Sequence, residues 1–103
     1  MSLLNDCYIS YLNLDQRLDR KEHIEKELTR VGLQAVRTRG KLPDEYDSTD
    51  PKIQVMWNRT KGAVGCHYGQ VAIMEEALRQ GKHAFVMEDD CEFCSDFQER
   101  IAI

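Results

Sequence analysis

A surplus of basic charge is the first thing this sequence lacks. Lys and Arg number 14 against 18 Asp and Glu, for a formal net charge of −4, and no basic run interleaved with aromatics occurs. Nucleic acid is therefore not an expected partner, although a nucleotide is compatible with such a surface. No apolar stretch approaches the roughly 18 residues of a membrane-crossing helix, and Met1-Ser2-Leu3-Leu4-Asn5-Asp6 has no signal-peptide pattern. The expectation is a cytoplasmic chain without an integral membrane segment. Proline is scarce, at two residues, both in the stretch 41–61, which leaves the remainder free to form regular structure.

What is present suits one domain over residues 1–103. A hydrophobic content of 42% beside 31% charged residues supports one modest core and is too little for two domains. The four cysteines, Cys7, Cys66, Cys91 and Cys94, are expected to be reduced thiols in the absence of a secretion signal. Cys91-x-x-Cys94 has zinc-like spacing, with Cys66-His67 as a conceivable second pair; small apolar packing is the preferred reading. Asn58-Arg59-Thr60 matches the glycosylation sequon and is silent in a cytoplasmic chain.

Taken in order, Cys7-Tyr8-Ile9-Ser10-Tyr11-Leu12 reads as a first strand, followed by a polar loop from Asn13 to Arg20. Asp19 with Glu22 resembles a capping box. Ile24, Leu28 and Val31 recur at helical spacing, Glu22 and Lys26 form an i,i+4 pair, and Gly32 supplies a stop. Ala35-Val36-Arg37-Thr38 suits a strand nearer the sheet edge, ended by Gly40. Residues 41–61 read as a long irregular loop with Trp57 covering one end of the core. A helix over 70–80 follows, entered through Gly62, Gly65 and Gly69, with Val64, Tyr68, Val71, Ala72 and Leu78 on one stripe, widened by Ile73 and Ala77. Those glycines admit two readings, a close approach of backbone amides to phosphate or tight packing of helix on sheet. A last short helix, capped by Ser95 or Asp96, carries Phe97 and Ile101.

Between the last two helices stands the run Ala84-Phe85-Val86-Met87-Glu88-Asp89-Asp90, an apolar segment ending in three carboxylates. The apolar part suits a strand buried on both faces of a parallel sheet. The expected fold is thus α/β, a small parallel sheet of order 2-1-3 flanked by helices, with the loop after strand 1 and the acids after strand 3 meeting at a switch point where such sheets bind ligands. Hard carboxylate oxygens suit Mg²⁺ or Mn²⁺, and Arg17 and Arg20 suit a diphosphate. The competing reading of the triplet is a solvated acidic strand end.

These residues resemble a family. Leu12-Asn13-Leu14-Asp15-x-Arg17-x-Asp19-Arg20, Gly62-Ala63-Val64-Gly65-Cys66 and Val86-Met87-Glu88-Asp89-Asp90 are similar, in the same order, to three blocks of glycosyltransferase family 25, the lipopolysaccharide-biosynthesis and procollagen galactosyltransferase group. The resemblance implies the Rossmann-like half of a GT-A fold, with metal-dependent transfer of a sugar from a UDP-sugar type donor to the hydroxyl of a glycan or lipid-linked acceptor. It implies Glu88 and Asp90 as metal ligands, and Asn13, Arg17, Arg20, Gly65, Glu88 and Asp89 around the donor; it assigns no catalytic base. Gly69 and Gln70 stand where family members carry Ser-His. The chain also ends at Ile101-Ala102-Ile103, before most of an acceptor-binding half, so a truncated or minimal domain is expected. The alternative is an inactive nucleotide-sugar-binding or interaction module, working as a homodimer through its sheet edge. A phospho-acceptor receiver domain fits poorly, since its acidic pair would follow the first strand.

Overall fold

The computed structural model describes residues 3–42, 45, 51 and 61–101. A short 3-10 turn, Leu3–Asp6, leads into strand β1, Cys7–Asn13, and helix α1, Leu18–Val31, then returns the chain to strand β2, Val36–Arg39. Helix α2, Lys61–Arg79, strand β3, His83–Glu88, and helix α3, Phe97–Ile101, complete the order. The sheet is three-stranded and all-parallel with β1 in the middle, in the order β2-β1-β3. That is the α/β class and strand order expected from the sequence. Trp57, the sequon and most of the stretch 41–61 lie outside the described residues.

Alternation along the strands assigns each side chain to one of two faces. The odd-numbered residues Tyr11 and Met87 join Ile24 and Leu28 of α1 in the core cluster, with Ile9, Phe85, Ala35, Cys91 and Phe93 packed against it. Ile24 is fully enclosed, as its place in the Ile24, Leu28, Val31 stripe requires. On the other face Leu12 meets Gly69 of α2. The exit from α1 runs as expected: Gly32 adopts φ 70°, ψ 30°, and the cap amides bond back to Leu28 and Thr29, a left-handed termination that glycine tolerates.

The start of α1 differs from expectation. Arg17, not Asp19, occupies the cap position, and no side chain caps the helix. A turn closed by the Arg17 amide on the Leu14 carbonyl (3.0 Å) brings the chain into the helix earlier, so that the Arg17 carbonyl already receives the Lys21 amide (3.1 Å). Asp19 therefore sits in the first turn, where a carboxylate still faces the positive end of the helix dipole. Glu22 makes the anticipated pair with Lys26 at 2.9 Å rather than a capping box.

Helix α2 starts nine residues earlier than expected and turns a different face inward. Gly69, Ile73 and Ala77, at i, i+4 and i+8, are buried, while Ala72 is exposed and Leu78 is 80% exposed. The cause is Gly69. A Cβ placed there would lie 2.6 Å from Leu12 Cδ2 and 2.8 Å from Cδ1, so the bare backbone lets the helix settle onto β1 and fixes which stripe follows it down. Of the two readings of the glycines, Gly69 fits tight packing. Burial of β3 is also less than expected: Ala84 is exposed, Phe85 and Val86 are half-buried, and only Met87 is enclosed. Among the described residues β3 pairs with β1 alone, and an edge strand presents less of itself to the core.

Gly69→Val should therefore lower stability by about 1–2 kcal/mol, the overpacking cost of 1–3 kcal/mol exceeding the few tenths regained in helix propensity. Urea unfolding followed by circular dichroism measures it. A midpoint at or above that of the parent would show that Leu12 moves aside freely.

Candidate functional site

The loop after β1 and the turn after β3 leave the sheet side by side, and Asn13 joins them. Asn13 and Asp89 continue the odd-numbered columns Ile9-Tyr11 and Phe85-Met87 past their apolar ends, and they are 2% and 8% exposed. Asn13 Nδ2 donates to Asp89 Oδ2 at 2.8 Å and to the Arg17 carbonyl at 3.1 Å. Asn13 Oδ1 accepts from Arg37 Nε at 3.1 Å. Only this orientation of the amide satisfies two acceptors on one side and a guanidinium on the other. A buried hydrogen bond to a charged group contributes about 1.5–3 kcal/mol. The second contact of Asp89, Arg20 Nη1 at 3.5 Å with Arg20 43% exposed, is a long, solvated pair worth about 1 kcal/mol at most. Asn13 is therefore the principal anchor of Asp89.

Behind Asn13 stands a tier of β2 arginines that the sequence reading did not single out. Register pairs Tyr11 with Arg37 and Asn13 with Arg39. Arg37 Nη2 donates to the Asn13 carbonyl (3.1 Å) and to Asp15 Oδ1 (2.7 Å). Arg39 donates to Asp15 Oδ2 (2.6 Å) and makes a two-pronged pair with Glu45. Hydrogen bonds from Arg37 and then Arg39 hold the Asp15 carboxyl below its usual range. The available signal was Arg37-Thr38-Arg39, two arginines of one parity on a strand beside β1.

In front of Asn13 lies an open cleft of about 240 Å³ lined by Arg17, Asp19, Arg20, His23, Asp89, Asp90 and Glu92. Arg17 pairs with Asp19 through Nε (3.0 Å) and Nη2 (2.9 Å). The Arg17 guanidinium is the main reason that the Asp19 carboxyl is lowered to about 2. Three α1 side chains at i, i+4 and i+7 fix the backbone beyond the acids. His23 Nε2 lies 3.0 Å from the Cys91 carbonyl; Glu27 accepts the Phe93 amide at 2.9 Å; Arg30 donates to the Phe93 carbonyl at 2.7 Å. Arg30, then the Phe93 amide, lowers Glu27 to about 2, so this clamp keeps its charge across the neutral range.

The expected site residues are thus brought together in part. Arg17, Arg20, Asp89 and Asp90 share the cleft. Asn13 lies beneath it with both polar atoms engaged, so it positions the cleft rather than presenting an amide to it. Glu88, of even parity, turns to the other face, where the Cys66 thiol of α2 donates to its Oε1 at 3.0 Å. That bond, followed by burial, raises the Cys66 thiol to about 11. Gly65 lies within α2, one turn inside a helix whose interior amides bond to the carbonyl four residues back; it offers no free N–H to a ligand. Cys91 is half-buried against the core, as the packing reading expects of it, whereas Cys94 is exposed. Among the described residues no group of three or more His, Cys, Asp or Glu side chains is placed to share a metal ion.

One titration and one alkylation rate check this geometry. The Asp19 carboxyl should titrate near 2 by NMR and return toward 3.8 in Arg17→Gln. Because its folded value is depressed, the stabilisation from this pair is present above pH 4 and is lost as pH falls toward 2. Independently, Cys66 should alkylate slowly with iodoacetamide at pH 8, and Glu88→Gln should speed the reaction by removing the charge that holds the thiol protonated; an unchanged rate would contradict the Cys66–Glu88 bond. Searches of protein families, of characterised proteins and of solved structures return no match to this chain.

Proposed function

We propose that the chain is the donor-binding half of a glycosyltransferase of family 25 type, with a Rossmann-like GT-A sheet, acting on a nucleotide-diphospho-sugar and an acceptor hydroxyl of a glycan or lipid-linked substrate. The observation that carries this reading is the cleft at the C-terminal edge of a parallel 2-1-3 sheet, where Arg17 and Arg20 stand beside Asp90. Open α/β sheets bind ligands at that edge, and guanidinium forks match phosphate oxygens. The nucleoside diphosphate would displace Asp19 from Arg17 as its anionic partner, which costs little for an exposed pair.

The donor set fits a hard divalent cation through the exposed carboxylates of the cleft. Mg²⁺ and Mn²⁺ accept one or two carboxylates and take their remaining ligands from substrate phosphate and water. Of the acidic triplet, Asp90, exposed on the cleft beside Glu92, is the carboxylate open to serve. Asp89 is held by Asn13, and Glu88 would first have to release Cys66. When bound, the cation neutralises charge developing on the departing diphosphate. Arg17 and Arg20 share that load, while Asn13 and the α1 clamp hold the turn that carries Asp90.

The engagement of two of the three acids, Asp89 by Asn13 and Glu88 by Cys66, favours a second reading, a module that binds a nucleotide-sugar without turnover. Calorimetric titration with UDP, with and without Mn²⁺, tests the first step common to both. Mn²⁺-dependent binding weakened at least tenfold by Asp90→Ala is expected, and the absence of binding to any nucleoside diphosphate would refute both. Release of UDP from a panel of UDP-sugars then separates enzyme from binder.

A further inference from the structure

Arg37 lies outside the cleft, is half-buried with 28% of its side chain exposed, and spends two of its three hydrogen bonds on Asn13. A surface arginine neutralising Asp15 needs neither. The Asn13 side chain has two ends, and each determines the other. With Arg37 Nε on Oδ1, the Nδ2 end must face Asp89 and the Arg17 carbonyl. Without that donor Oδ1 is left buried and unpaired, at a cost of about 1–3 kcal/mol, and the amide gains by turning toward another donor at the expense of its bonds to Asp89 and the Arg17 carbonyl. Rotation would release the Arg17 carbonyl as well, and with it the turn that aims Arg17 into the cleft.

We propose that Arg37 is a positioning residue for the cleft: by holding Asn13 Oδ1 it sets the amide that orients Asp89 and the Arg17 turn, and through them the placement of Asp90 and Arg17. Its consequence for ligand binding rests on the donor-binding reading above; the relay itself does not. Arg39 provides an internal control. It has the same charge, sits two residues away on the same strand face, and bonds the same Asp15, but among the described residues its guanidinium bonds Asp15 and Glu45 and not Asn13. Whatever general electrostatic help β2 gives an anionic ligand, Arg39 gives it too.

The experiment compares Arg37→Gln, Arg37→Lys and Arg39→Gln in the full chain. In ¹⁵N–¹H spectra of the ligand-free protein, Arg37→Gln should move the Asn13 side-chain NH₂ pair and the backbone amides of Asp89 and Asp90 and abolish slow exchange of the Asn13 NH₂. Arg39→Gln should leave these signals in place. Arg37→Lys, able to reach Oδ1 but not to fork across to the Asn13 carbonyl and Asp15 together, should restore the NH₂ signal in part. Affinity for UDP with Mn²⁺ should fall about 10- to 100-fold in Arg37→Gln, the usual effect of removing an outer hydrogen-bond partner, and stay within about twofold in Arg39→Gln, as for an exposed pair. Urea midpoints of the three variants show that each is folded at the temperature of the measurement. Equal effects of Arg37→Gln and Arg39→Gln on the NH₂ signals, or none from either, would overturn the relay. If the parent binds no UDP, the donor-binding reading fails while the spectra still decide the role of Arg37.

Discussion

The bond from Asn13 Nδ2 to Asp89 Oδ2, 2.8 Å long and shielded from solvent, is the contact on which the cleft depends. A carboxyl group 8% exposed needs a good hydrogen-bond partner, and its short side-chain partner among the described residues comes from a strand 76 residues away in sequence. The same amide secures the Arg17 carbonyl and is itself secured by Arg37. Contacts from β2, from the turn after β3 and from the entrance to α1 therefore converge on one side chain at the end of β1. Everything in front of it, the two arginines and Asp90, reaches solvent; the β2 arginines behind it are paired. A supported charged rim is an arrangement suited to receiving an anion.

Much of the scaffold was legible because its signals are local. The Ile24, Leu28, Val31 stripe, the Gly32 stop and the β1 run each follow from spacing or from a single backbone requirement, and the parallel order 2-1-3 follows from the alternation of strands and helices. What escaped was non-local. The inward face of α2 depends on how close Gly69 can come to Leu12, a distance that no helical period encodes, so Leu78 was placed inside and lies outside. The cap at Arg17 arises from a turn tied down by Asn13, which outweighs the local preference for Asp19. Family resemblance named Asn13, Arg17, Arg20 and Asp89 together but did not distinguish the residue that supports from those that face the cleft. Burial makes that distinction.

Glu88-Asp89-Asp90 was read as one acidic cluster, and strand parity divides it. Glu88 belongs to the α2 face with Cys66 and Gln70, Asp89 to the α1 face with Asn13, and Asp90 to the turn beyond. The parity of Ile9-Tyr11-Asn13 and Phe85-Met87-Asp89 was available in the sequence as two apolar columns, each ending in a polar residue. Two such columns ending together on neighbouring parallel strands predict a polar pair that must satisfy itself.

The register of β3 on β1, from Cys7 opposite His83 to Leu12 opposite Glu88, thereby acts as an address for charge. Side chains on a strand change face with every residue, so a slip of one position toward the C-terminus would deliver Glu88 to Asn13 and Met87 to the thiol of Cys66. The alternative pairing would bury a longer carboxylate where the amide expects a shorter one, and would bring Met87 out of the core. A single insertion between residues 83 and 88 would accordingly rewire the electrostatics of both faces at once while leaving every charge in the chain.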